Sequence, residues 1–130
     1  MVKKLIPLLI LCSSCVALPA FAAQSVGASM HEMARSYRAV MQDETLKSLG
    51  KDLSSLHDAA LKAQAGVPDF LRNKPADDPM RQTYRDGIDK LLKQIELAQS
   101  YVKMGQLNKA KEAAKKIAPI RNTYHRKLGI

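Results

Sequence analysis

The chain has 130 residues and a formal net charge of +9, with two cysteines, no tryptophan and only 5% aromatic residues. That length holds one small domain and not two. The positive balance favours acidic proteins, anionic lipid or nucleic acid, but no nucleic-acid-binding motif or interleaved aromatic pattern accompanies it.

Residues 1–22 are predicted to be a cleaved secretory signal. Lys3 and Lys4 make a short positive region, "LIPLLILCSSCVAL" an apolar one, and Ala20-Phe21-Ala22 the small-x-small pattern of a cleavage site. The stretch is too short to span a membrane and lacks a stop-transfer pattern. Cleavage between Ala22 and Ala23 leaves a domain of residues 23–130, exported to the periplasm, and lowers the charge from +9 to +7 by removing two lysines. Both cysteines, Cys12 and Cys15, go with the signal. Val16 follows this C-x-x-C where covalent haem attachment needs His. The domain therefore has no disulfide, no thiolate metal site and no cysteine nucleophile.

From residue 23 onward apolar residues recur at three-four spacing in four blocks, the mark of amphipathic helices. The first is Val26, Met30, Met33, Tyr37 and Val40, beginning near Ser25. The second runs Leu46, Leu49, Leu53, Leu56, Ala60 and Ala63, preceded by capping side chains in "QDET". A long break, Gly66 to Pro79, holds three prolines and ends in Asp78–Pro79, a helix start. The third block is Tyr84, Ile88, Leu91, Ile95, Ala98 and Val102, closed by a tight turn at Gly105. The fourth is Leu107, Ala110, Ala114, Ile117, Ile120 or Arg121, Tyr124 and Leu128. Pro119 lies inside it, removes a backbone donor and crowds the carbonyl of Lys115, so a bend is expected there. No block alternates with period two. The prediction is an all-α, antiparallel up-down-up-down four-helix bundle.

In that topology the start of helix 1, the end of helix 4 and the loop between helices 2 and 3 share one end. Met30 and His125 meet there, with residues 68–79 as an adjoining lid. Ala60, Leu61 and Gln64 of helix 2 and Tyr84 and Ile88 of helix 3 are the expected walls. A thioether facing an imidazole across an apolar end is a donor pair for haem iron. By residue type alone other readings stand beside this one: Met30 as core packing, His125 as a solvated terminal side chain, Arg121 as a surface arginine.

The motifs carry a resemblance. "RNTYH" (121–125) at the end of a helix, "DAALKAQAGVP" (58–68) and "DDPMRQTYRDGIDKLLKQIELA" (77–98), with "YRDGID" its most telling part, resemble the soluble cytochrome b562 family across the whole of residues 23–130. The resemblance implies a periplasmic electron-transfer protein with one non-covalent haem b. It implies Met30 and His125 as the axial iron ligands and Arg121 as a partner for a haem propionate, with Leu61, Tyr84, Ile88 and Tyr124 as candidate wall residues. The family tends to place two phenylalanines where this chain has Tyr84 and Ile88. Redox proteins are the expected partners of a monomer with no stable membrane anchor and no nucleic-acid ligand; the basic face itself reads first as a solvated helix face and second as a surface for an acidic partner. His31, about 100° round the helix from Met30, is expected at solvent, His57 at the surface of helix 2, and Met33 in the core. No Ser/His/Asp set, paired carboxylates on an apolar face or phosphate loop is visible, so no enzymatic chemistry is expected. The rival classes are a haem-free periplasmic binding or stress protein and a weak His/Met metal binder.

Overall fold

A computed structural model describes residues 24–130; the predicted signal and its two cysteines lie outside them. Among the described residues the elements are α1 (Val26–Gln42), α2 (Leu46–Ala65), a short 3-10 turn (Asp69–Leu71), α3 (Pro79–Lys103), α4 (Leu107–Lys115) and α5 (Ile117–Leu128). With no strand among them, the chain is the expected all-α bundle, its fourth helix built from α4 and α5.

The helix starts are made by side chains that occupy orphan backbone donors. Ser25 Oγ accepts from the Ala28 N–H at 3.2 Å, Thr45 Oγ1 from Ser48 at 3.1 Å, and the Asp78 carboxylate from Met80 at 2.8 Å. Pro79 at the first turn of α3 fits there because its missing N–H would have no partner anyway. The turn after α3 needs a left-handed residue, supplied by Gly105 at φ 71°.

The bend expected at Pro119 falls at Lys116, one turn earlier. Pro119 cannot donate to the Lys115 carbonyl, so the ladder is interrupted on that carbonyl's side of the ring. The Lys116 N–H turns instead to Ala113 O at 3.2 Å, a tighter i−3 bond. Helix resumes at once, which leaves Pro119 in the first turn of α5, where a proline is tolerated.

The predicted stripes face inward. Leu49, Leu53, Ala60, Ala63, Ile95, Ala98 and Ala110 are fully buried. Ser29, which belongs to no stripe, is also fully buried; its hydroxyl donates to the Ser25 carbonyl at 3.4 Å, so the polar group is partnered. α2 packs against α1 and α3, and α3 against both α4 and α5. α1 touches α4 only lightly and α5 hardly at all. One seam of the bundle is therefore left open, and the site lies in it.

Candidate functional site

The open seam holds a cavity of about 610 Å³, walled by α1, α3, α5 and the loop at Pro68–Phe70. Met30 and His125 both line it. Ninety-five residues apart in sequence, they are joined by the antiparallel topology, which returns the end of α5 to the start of α1. Of the lid expected over residues 68–79, only Pro68, Asp69 and Phe70 border the same space.

Burial, and secondarily the positive charge of Arg121, pushes the His125 pKa below its ordinary 6.5. Both causes favour the neutral imidazole, the form with a ring nitrogen lone pair free to bind a metal. Arg121 lines the cavity one turn earlier. Its Cζ stands 6.0 Å from the Tyr37 ring centroid and its Nε donates to Asn122 Oδ1 at 3.0 Å. It makes no ion pair with any described carboxylate, so its charge is left for another anion.

The α3 wall is built from two of the expected residues. Tyr84 is buried, its hydroxyl donating to the Ala63 carbonyl at 2.6 Å, and burial pushes its pKa up to about 12. Beside it Ile88 is 3% exposed. Between them in sequence Gly87 lets α5 approach: a Cβ there would lie 2.7 Å from Cγ and Cδ1 of Tyr124. The glycine of "YRDGID" is thus the seat of the ring that precedes the histidine. Lys127 Nζ at 4.8 Å and Lys90 Nζ at 5.8 Å from the Tyr124 ring centroid hold it further.

Leu61 is a correction. It is 42% exposed and does not border the cavity. Ala60 and Ala63 occupy the inward face of α2, and one residue beyond Ala60 is about 100° round the helix. Ala60 packs in the core, and Gln64 is exposed, donating to Asp89 Oδ1 at 2.7 Å. The α2 contribution is Leu56 instead. Sequence reasoning also missed Tyr37 and Phe70 as lining residues. Tyr37 was on the predicted stripe. Phe70, 44% exposed, had no periodic signal, only its neighbour Leu71, whose complete burial anchors the loop.

Met33 is buried as expected and also borders the cavity, while His31 is exposed. His57 lies away from the site, its Nε2 3.2 Å from Glu96 Oε1. Of the material for a His/Met metal site, Met30, Met33 and His125 share the cavity and His31 does not.

Residues 25–128 match the family described as cytochrome b562. This chain belongs to the cytochrome b562 family. It is similar to "Probable soluble cytochrome b562 2" of Yersinia pestis, 35% identical over 105 residues that cover 81% of this chain and 82% of the relative. It also resembles "Probable soluble cytochrome b562 1" of the same organism, 34% identical over 79 residues, 61% of this chain and 62% of the relative. A cytochrome b562 is a haem protein, and the cavity suits one. Its size falls in the range of small-molecule sites, roughly 300–1,000 Å³. Its walls are apolar, its two donors are a soft thioether and an imidazole, and a guanidinium stands at its wall.

Proposed function

We propose that the protein is a periplasmic single-electron carrier holding one non-covalent haem b between Met30 and His125. The observation that carries this reading is that an imidazole and a thioether, from opposite ends of the described chain, line one apolar cavity. Haem, when bound, supplies the one-electron chemistry. The chain's own residues set its conditions. Met30 and His125 would hold its iron, leaving no open position for an exogenous ligand, and a thioether donor would favour the reduced metal and raise the potential. Arg121, a cavity-lining guanidinium without an ion-pair partner among the described carboxylates, would hold a haem carboxylate. Tyr84, its hydroxyl already engaged with Ala63, presents a ring without a free polar group, and Ile88 and Tyr124 complete an apolar wall that keeps water from the site. Retention rests on these contacts alone, since both cysteines precede residue 24.

The test is spectroscopic. Purified protein titrated with haemin should give a one-to-one complex with a sharp reduced α-band, lost or shifted in both Met30→Leu and His125→Ala. A wild-type spectrum in either variant would refute that ligand; no saturable haem uptake would refute the reading as a whole. Export is tested by mass spectrometry of the periplasmic fraction, where the mature chain should begin at Ala23. No helix among the described residues is long and apolar enough to cross a membrane.

A further inference from the structure

The charge beside the open seam is of one sign. On the exposed side of α1 next to the cavity, His31, Arg35 and Arg38 follow one another at i, i+4 and i+7, a single ridge. The only acid of α1, Glu32, is turned toward α2, where its Oε2 is 3.2 Å from Lys62 Nζ. Across the cavity, α5 contributes Arg121 and exposed Arg126, and residues 117–130 include no acid at all. Lys127, the remaining cation of α5, leans over Tyr124 on the α3 side. Asp69 is the one acidic side chain bordering the cavity, and Arg72 pairs with it at 2.8 Å.

Elsewhere the cations are partly spent on neighbours: Lys74 with Asp78, Lys111 with Glu44, Lys115 with Glu112. None of Arg35, Arg38, Arg121 and Arg126 makes an ion pair with a described carboxylate. Even against the two carboxylates that a bound haem b brings, four guanidinium groups leave a positive excess around the seam. This is the region through which an electron would pass, because it is where the cofactor's cavity is least covered by protein.

We infer that this arginine-flanked seam is the docking surface for an acidic redox protein, a partner whose Asp and Glu carboxylates surround its own electron-transfer edge. The inference rests on the haem reading above. Exposed charges act over about 10 Å at 0.1 M salt, so their effect is to speed and orient encounter, with gains of about 10- to 1,000-fold in on-rate at low salt. Such a complex forms quickly and separates quickly, as a shuttle requires.

The experiment uses the haem-loaded protein and two small oxidants of opposite charge, hexacyanoferrate(III), a trianion, and tris(bipyridine)cobalt(III), a trication. Stopped-flow oxidation of the reduced protein is followed from about 0.01 M to about 0.3 M ionic strength. The trianion reaction should slow about tenfold with salt while the trication reaction quickens. In Arg38→Glu/Arg126→Glu both slopes should flatten or reverse with the α-band unchanged; if the double variant fails to fold, the corresponding Gln pair serves. Opposite responses of the two oxidants separate charge from any change in potential, which would shift both rates the same way. Poly-L-glutamate, as an acidic polypeptide, should slow the trianion reaction at low salt where poly-L-lysine does not. A trication favoured at low salt, salt slopes untouched by the charge reversal, or indifference to polyglutamate each overturns the docking surface and leaves the haem reading intact. Failure to take up haem overturns both.

Discussion

The close approach of Tyr124 to Gly87 is an exacting constraint on the site. Substituting Gly87 by Ala places a methyl group 2.7 Å from Cγ and Cδ1 of Tyr124 and 3.1 Å from its Cβ. Since the conflict includes the ring root as well as its edge, rotating the side chain does not relieve it, and α5 must move away from α3. Overpacking of this kind costs about 1–3 kcal/mol, against which alanine returns up to about 1 kcal/mol of helix propensity. The net expectation is a loss of roughly 1–2 kcal/mol, or about 5–10 °C in the melting temperature of the haem-free protein. Because His125 directly follows Tyr124, haem affinity should fall as well. Thermal unfolding by circular dichroism gives the first quantity and haemin titration the second. Tyr124→Ala is destabilising alone, but Gly87→Ala should add little to it, because the conflicting ring is gone. An exposed helix glycine would respond oppositely: if Gly87→Ala raises the melting temperature, or adds its full cost to Tyr124→Ala, the seating of Tyr124 on Gly87 is refuted.

Tyr84 makes stability depend on pH at the alkaline end. Its folded pKa of about 12 stands above the ordinary 10.0, so its contribution is complete below pH 10 and is lost as pH rises through 12. The gap sets an upper bound of about 2.7 kcal/mol. At pH 7, Tyr84→Phe should cost about 1 kcal/mol for the lost hydrogen bond, since Ala63 O still accepts from Gly66. By pH 12, denaturant melts of the two proteins should converge or cross; a constant difference would refute the buried phenol. Phe70→Ala should leave the haem-free melting temperature nearly unchanged while quickening haem loss, about fivefold for roughly 1 kcal/mol of removed cover. An unchanged rate of haem transfer to an acceptor globin would exclude Phe70 as a shield. Pro119→Ala should restore the bond to the Lys115 carbonyl and join α4 to α5, changing the haem-free stability by less than about 1 kcal/mol but weakening haem binding as the His125 turn is re-aimed; unaltered affinity would show that the bend does not position the ligand.

What the sequence made readable follows from which forces are local. The four stripes, the Ser25, Thr45 and Asp78 caps and the Gly105 turn each depend on neighbours within one or two turns, and each stands where the residues predict. Met30 and His125 were placed together by counting helices, which needs topology but no side-chain detail. Leu61 was misread because an apolar residue at the edge of a stripe can face either way, and only the partner helix decides. The roles of Gly87 and Phe70 were hidden for a related reason. One is a close approach between elements distant in sequence; the other is a loop residue with no period, positioned by the burial of Leu71 next to it. Pro119 was right in kind but displaced by a turn, because a proline acts on the carbonyl four residues before it.

The distribution of packing links these observations. Small residues such as Ala60, Ala63, Ala98, Ala110 and Ala114 let α3 close tightly on α2 and on α4. Most of the interhelical packing lies between α1 and α2, α2 and α3, and α3 and the fourth helix, and very little between α1 and α5. The seam is therefore free to stay open, and the side chains bordering it lack the contacts that a closed bundle would give them. A ligand that fills it and binds only the folded state adds stability in proportion to RT ln(1 + [L]/Kd). Substitutions in the closed part should then shift the stability of both forms alike, whereas substitutions along the seam should shift chiefly the difference between them. Met30 and His125 lie on α1 and α5, two helices whose mutual contact is slight, so a ligand between them can be accommodated without disturbing the packing of α2 against α3 and of α3 against α4.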